Sequence, residues 1–333
     1  MRLTYGNAIC KALYDELEKD DNVVVFGEDI QSNLYGYTEG LSDKFGSNRI
    51  INIPLSEAGI MGMVCGAAMC GLRPVLDLTL PNFLYVAMDQ IASIAAKTRY
   101  MYNGVYSLPM TIFCSSMCGS GNAAQHSDRL HSLFMTIPGL KVICPATPQD
   151  MYSLLRAAIE DNNPVICFAD RTLFWQEDEV LLEKKVSIGS ANRIFKGDDL
   201  TIVTVSSCLA MVKEIIPVME KKGISIELID VRTVVPLDYK TIQKSVKKTG
   251  KILICDTANR TGSLASEIAS LIVQHDFYSL KEPIKIVACE DIPIPFASNL
   301  EKEILVTKDK ILKAINSMCQ IEERDNICGR EKA

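Results

Sequence analysis

The sequence predicts an α/β protein with two parallel-sheet domains, on three observations. Short apolar runs of strand length alternate with stretches of helical periodicity along most of the chain, the order that parallel strands and crossover helices require. The alternation is broken once, between residues 177 and 199, by charged text that includes Glu177-Asp-Glu, Glu183-Lys-Lys and Lys196-Gly-Asp-Asp199. Finally, 333 residues is about twice the usual domain length of roughly 150.

In chain order, strands are predicted at 23–26, 75–78, 110–114, 141–144 and 165–168, separated by segments of helical length. Beyond the charged break the pattern restarts with a strand at 200–205, a helix at 207–222 and a strand at 225–229. A helix at 238–248, a strand at 251–255, a helix at 263–275 and a strand at 284–288 complete it. The expected divisions are a first domain at 1–185, a connector at 186–198 and a second domain at 199–320. Residues 321–333 carry seven charges in 13 positions and are expected to be a frayed, disordered tail.

Composition narrows the function classes. The chain is 48% hydrophobic and 23% charged, as in soluble globular proteins, and its net charge of −6 offers no basic face to nucleic acid or anionic lipid. The opening residues show no apolar signal segment. The longest uncharged run of the first third, at 58–72, has 15 residues against the roughly 20 that cross a bilayer. Most of the twelve cysteines lie in apolar runs, which reads as reduced core thiols in the cytoplasm rather than a disulfide framework. With no C-x-x-C and three histidines, a zinc-type cluster is not expected.

One segment stands apart. Ser56-Glu57-Ala-Gly59-Ile-Met-Gly62-Met-Val-Cys-Gly66-Ala-Ala-Met-Cys-Gly71 reads as a helix with Ser56 as N-cap and Gly71 as stop, and it carries no charge after Glu57. A helix apolar on every side is surrounded by protein. Gly59, Gly62 and Gly66 share a face that admits a close neighbour, such as a helix of another subunit. Glu57 then sits at the mouth of a buried helix. It is either a carboxylate favoured by the helix dipole or a proton donor and hydrogen-bonding group for a bound heterocycle, with burial raising its pKa and the helix start lowering it.

Nine segments, taken in order, carry a resemblance. They are Gly27-Glu28-Asp29, Ile53-Pro-Leu-Ser-Glu57-Ala-Gly-Ile-Met-Gly62, Gly71-Leu-Arg-Pro74, Asn82-Phe83, Met88-Asp-Gln90 with Ala95-Ala-Lys97, Ala123-Ala-Gln-His126-Ser127, Ile137-Pro-Gly-Leu-Lys-Val142, Ala158-Ile-Glu-Asp161-Asn-Asn163-Pro164, and Val231-Arg-Thr with Pro236-Leu-Asp238. Over about residues 3–318 the chain resembles the beta subunit of the thiamine-diphosphate-dependent first component of 2-oxoacid dehydrogenase complexes, the group of pyruvate, branched-chain and acetoin dehydrogenases. The resemblance implies a pyrimidine-binding domain followed by a transketolase C-terminal domain. It implies that Glu57 hydrogen-bonds the cofactor's aminopyrimidine ring and serves catalysis, that Phe83 lies against the ring face, and that Glu28 belongs to the cofactor site. It makes His126 the second catalytic residue, facing the substrate or acyl acceptor, while His131 is a further substrate contact or a structural histidine. It also places potassium on backbone carbonyls at Ala158, Asp161 and Asn163, where a plain polar turn is the alternative.

The chain lacks the Gly-Asp-Gly segment through which such enzymes hold the diphosphate by Mg²⁺. The resemblance therefore implies an alpha subunit that carries this motif and the Mg²⁺, an α2β2 assembly, and little activity for this chain alone. Two departures bear on substrate and acceptor: Cys114-Ser-Ser-Met-Cys118-Gly119 replaces an arginine-containing stretch, and Asp128 follows His126-Ser127 where glutamine is common. The leading expectation is decarboxylation of a small 2-oxoacid with acyl transfer to a lipoyl-bearing acyltransferase core. The alternatives are a transketolase-like or carboligase subunit with a small-molecule acceptor, and a non-catalytic structural or regulatory partner. Asn299-Leu-Glu301 also matches a family connection, with no chemistry attached.

Overall fold

The structure is a computed structural model that describes residues 1–319. The expected tail at 321–333 lies outside the described residues. Two large sheets account for the two predicted runs of alternation. The first has seven strands in the order β12-β6-β7-β5-β4-β2-β3 and the second has five, β14-β13-β10-β11-β9. In chain order the strands are β1 (Arg2–Thr4), β2 (Val23–Gly27), β3 (Ile50–Asn52), β4 (Arg73–Asp77), β5 (Thr111–Ser116), β6 (Lys141–Ile143), β7 (Val165–Asp170) and β8 (Glu177–Glu179). They continue with β9 (Asn192–Phe195), β10 (Leu200–Thr204), β11 (Ile226–Asp230), β12 (Thr233–Val235), β13 (Ile252–Asn259) and β14 (Lys285–Cys289). The short strands β1 and β8 pair separately.

The central strands are parallel and buried on both faces, as helix-covered sheets require. Side chains alternate between faces: Val23 and Val25 pack with the Tyr5–Lys19 and Pro148–Glu160 helices, whereas Val24 and Phe26 pack with Met61, Val64 and Cys65 of the Glu57–Met69 helix. This second core continues without a break into the second sheet through Phe134, Val203, Ile229 and Ile254. Polar ties cross the same boundary, including Arg232 to Asp150 at 2.8 Å and His131 to Asp256 at 2.9 Å.

Each sheet departs from the all-parallel expectation at one edge. β9 arises inside the stretch predicted as a plain connector and pairs antiparallel with β11. β12, from the second half of the chain, pairs antiparallel with β6 and closes one edge of the first sheet. Edge strands of three or four residues bury too little apolar surface to leave a pattern in the sequence.

The Glu57–Met69 helix starts and stops where the sequence places it. Its end is a Schellman arrangement: the Leu72 N–H donates to the Ala67 carbonyl, the Gly71 N–H to that of Ala68, and Gly71 has φ +100°. Its start corrects the N-cap expectation, since the Ser56 hydroxyl makes no capping bond. The helix is also not enclosed within this chain: Met61, Val64, Cys65 and Ala68 are buried, but Gly59, Met63 and Gly66 are exposed, and nothing stands within 4 Å of a Cβ placed at Gly66. No helix among the described residues is long and apolar enough to cross a membrane. None of the eleven described cysteines is paired, and the eight that are buried are core thiols; burial pushes Cys65 and Cys118 up to about 11.

Gly139, in the Ile137-Pro-Gly turn, has φ +102°, and a Cβ there would stand 2.0 Å from the Ala96 carbonyl oxygen. Both strain and overlap oppose any side chain, so Gly139→Ala is expected to destabilise the chain by about 3 kcal/mol or more, measured as a lowered denaturant midpoint.

Candidate active site at the carboxyl edge of the first sheet

The path of the chain gathers the site. From β2 it passes to β3 on one side, returns to β4 on the other and moves on to β5, so a crevice opens beyond the carboxyl ends of β2 and β4. Ligands of open α/β sheets bind at such a reversal. Glu28 directly follows β2, Glu57 opens the helix after β3, and Asp77 ends β4. The Pro81–Tyr85 turn after β4 carries Asn82 and Phe83, and the loop after β5 carries His126.

The acids influence one another. Burial pushes the Glu28 carboxyl above the usual range, and the nearby charges of Glu57 and Asp29 push it further. Asp77 is buried and pushed up to about 6, chiefly by desolvation, with Glu28 adding to the rise. Hydrogen bonds donated by the Tyr37 hydroxyl at 2.7 Å and the Thr79 N–H at 2.8 Å limit that rise. Glu28 thus stands in the fields of both Glu57 and Asp77.

Phe83 and His126 form a second group. Their rings meet edge to face at 5.9 Å and 86°, and both residues are half-buried. The contact is braced from both sides of Phe83. Asn82 Nδ2 donates to Asp128 Oδ2 at 2.9 Å, the Asp128 N–H donates to Asn82 Oδ1 at 3.2 Å, and the Tyr85 hydroxyl donates to the same carboxylate at 3.4 Å. Beside this loop lies a cavity of about 390 Å³ lined by residues of both domains, among them Cys118, Asp128, Arg129, Asn259 and Asp291.

These residues fit one half of a thiamine cofactor. Glu28, Glu57 and Asp77 suit a heterocycle that carries N–H groups or a proton, and a half-buried phenyl ring suits its flat face. The same acids would repel a diphosphate, and no group of three or more His, Cys, Asp or Glu among the described residues is placed to hold a metal ion.

The other predicted positions lie apart. His131 is 2% exposed, and its ring pairs with Asp256 across the domain boundary, so it is a structural tie rather than a substrate contact. Burial acts to raise Asp256, but His131 and the Ala258 and Ala265 N–H groups hold its carboxyl below the usual range. At the turn proposed for potassium, the Ala158 carbonyl accepts the Asp161 N–H, while the Ile159 and Asp161 carbonyls accept the Arg73 guanidinium at 3.1 and 3.2 Å. Lys141 pairs with the Asp161 carboxylate, and Arg99 donates to Asn163 Oδ1 at 2.8 Å. A potassium ion would share these groups with resident cations. Asp77, Tyr37 and Tyr85 escaped the sequence reading; an acid closing the apolar run Val75-Leu-Asp77 was the one available signal.

Comparison with known proteins bears on the whole chain. Residues 1–175 match the transketolase pyrimidine binding domain and residues 189–311 the transketolase C-terminal domain. The 2-oxoisovalerate dehydrogenase subunit beta of Bacillus subtilis (strain 168) is 36% identical over 323 residues, covering 96% of this chain and 99% of that protein. The chain belongs to the E1 beta-subunit family of 2-oxoacid dehydrogenases. Other members with similar overlap are the pyruvate dehydrogenase E1 component subunit beta of Rickettsia bellii (strain RML369-C), 34% identical over 97% of this chain and all (100%) of that one, and the acetoin:2,6-dichlorophenolindophenol oxidoreductase subunit beta of B. subtilis, 36% identical over 93% and 95%. Among solved structures, a split-gene transketolase described as an inactive beta4 tetramer shares the fold, with a TM-score of 0.79, 19% identity and coverage of 96% and 98%. The family is one of thiamine-diphosphate-dependent enzyme components, and membership accounts for the two-sheet architecture.

The Asp77 carboxyl gives the fold a pH signature. Because its native pKa lies above the ordinary 3.8, the folded state keeps a proton that the unfolded chain releases between about pH 4 and 6. The stability this contributes is complete below pH 4 and lost as pH rises through 6, up to about 2–3 kcal/mol at 1.4 kcal/mol per unit. Asp77→Asn, which retains an acceptor for Tyr37, is expected to flatten this slope in denaturation midpoints measured from pH 4 to 7.

Proposed function

We propose that this chain, paired with an alpha subunit, decarboxylates a small 2-oxoacid with thiamine diphosphate and passes the acyl group to a lipoyl domain of an acyltransferase core. The observation that carries this reading is Glu57 opening the helix after β3 within the Glu28 and Asp77 acid group, on the crevice edge that also bears the Phe83–His126 pair. When bound, the cofactor supplies an electron sink for the carbanion that loss of carbon dioxide would otherwise leave.

The chain's own residues divide the remaining work. Glu57 would hydrogen-bond the pyrimidine ring and thereby set which ring nitrogen is basic. Phe83 stacks on the ring and excludes water from one face. His126 faces the reacting carbon's substituents, where its imidazole binds a carboxylate or supplies a proton.

The diphosphate and Mg²⁺ belong to the alpha subunit, whose Gly-Asp-Gly segment this chain lacks. The open face at Gly59, Met63 and Gly66, together with exposed Tyr100 and Met101, supports assembly, as an α2β2 particle, over a lone chain. Unpaired buried thiols support the cytoplasm as its location. A potassium ion at the Ala158, Asp161 and Asn163 carbonyls would add to Arg73 and Lys141 in holding that turn. One observation favours a second acceptor: Asp128, Asn259 and Asp291 line the cleft beside His126, and carboxylates and amides of this kind bind hydroxyl groups. A hydroxylated aldehyde would then replace the lipoyl domain.

The test is turnover of a 2-oxoacid by the single chain and by the reconstituted pair. The pair is expected to be active and the chain alone inactive; robust Mg²⁺-dependent decarboxylation by the chain alone would refute the divided site. Glu57→Gln is expected to cost about 10²–10⁴-fold in kcat with assembly intact. Acylated lipoyl domain or a new carbon–carbon bond, followed by mass spectrometry, identifies the acceptor.

A further inference from the structure

The loop that delivers His126 holds its shape with little help from itself. Gly119, Gly121 and Ala123 all have positive φ, at +87°, +70° and +58°, and Ala123 adopts this conformation despite its Cβ. The hydrogen bonds internal to the loop before His126 are few: the Ser120 N–H and Asn122 Nδ2 both donate to the Met117 carbonyl at 3.2 Å, and the His126 N–H reaches the Ala123 carbonyl at 3.4 Å. A backbone in this state relaxes unless something outside it prevents that.

The restraint comes from the second domain. Glu301, on the short Ser298–Ile304 helix, is 2% exposed and lies about 180 residues away in sequence. Its two carboxylate oxygens each accept a backbone N–H from the loop, Oε1 from Gly119 at 2.7 Å and Oε2 from Gly121 at 3.2 Å. No ion pair reaches this carboxylate among the described residues, so these N–H groups are its compensation for burial. Apolar contacts reinforce the same junction. Cys118 packs with Ile294 and Ile304. Past His126, Asp128 anchors the other end of the loop to the Phe83 turn.

We propose that Glu301 is a positioning residue of the active site: its carboxylate clamps the Gly119 and Gly121 amides, so that the C-terminal domain sets where His126 stands relative to Phe83. This gives a task to the Asn299-Leu-Glu301 segment, to which its family match had attached none. The clamp itself stands on the hydrogen bonds above, whereas its effect on turnover rests on the role proposed for His126. An amide at position 301 offers one carbonyl in place of two oxygens, so Glu301→Gln retains half the clamp at nearly the same volume.

The first measurement is hydrogen exchange of the full chain, with peptides covering 117–126 as the readout and peptides of β13 as the control for folding. Glu301→Ala is expected to speed exchange in 117–126 by about tenfold or more with β13 unchanged, and Glu301→Gln to fall between it and wild type. Should the alanine variant also loosen β13, the glutamine variant decides. Wild-type exchange in 117–126 for a folded variant overturns the clamp. The second measurement is kinetics of the reconstituted pair with pyruvate or another 2-oxoacid that it turns over. Glu301→Ala is expected to lower kcat about tenfold or more while KM stays within about threefold, with partial rescue in Glu301→Gln. Unchanged kcat in a pair that His126→Ala cripples overturns the positioning role. A fully active His126→Ala pair instead refutes the function assigned to His126, and the exchange result alone then decides the clamp.

Discussion

Glu28, Glu57 and Asp77 crowd the carboxyl end of one parallel sheet, where burial first and neighbouring negative charge second raise the affinity of Glu28 and Asp77 for protons. Asp77 is kept from solvent by Tyr37 and the strand ends around it, and Glu28 feels both of the other acids. Such a site favours a partner that brings N–H groups and disfavours one that brings negative charge. That electrostatic constraint is the basis on which we assign the ring of the cofactor to this chain and the diphosphate to its partner.

The remaining architecture supports this edge. Because β2 to β7 run parallel with helices on both faces, the segments after β2, β3, β4 and β5 emerge on the same side, which brings residues 28, 57, 83 and 126 to one end of the sheet. The second domain contributes as well. Its core is continuous with the first, β12 closes one edge of the first sheet, and Arg232, Asp256 and Glu301 reach across to Asp150, His131 and the glycine loop. A domain with no evident chemistry is thus built into the geometry of the histidine.

Legibility in the sequence follows the size of the physical signal. Central strands such as 165–168 and helices such as 238–248 and 263–275 were readable because burial on both faces, or on one regular stripe, demands unbroken or periodic apolar text. β9 and β12 were not, since strands of three or four residues are too short to show a period and owe their pairing to a neighbour far away in sequence. Glu57, Phe83 and His126 were singled out through motifs, and the structure brings Phe83 and His126 to edge-to-face contact. Asp128 drew notice as a departure, yet its three bonds to Asn82 and Tyr85 depend on a fold contact between segments about 45 residues apart.

By itself the sequence determined the α/β class, the two-part layout, the uncharged helix that begins at Glu57 and the absence of a diphosphate motif, because each is a matter of local pattern or composition. Only the tertiary structure decided that His131 is a buried tie to Asp256, that Arg73 already faces the carbonyls of the Asp161 turn, that the glycine face of the Glu57–Met69 helix is open, and that Glu301 holds the loop of His126. The physical reason is common to all four. Burial and hydrogen bonding are settled by groups that meet in space, and a residue's own neighbours in sequence do not record which distant group will satisfy it.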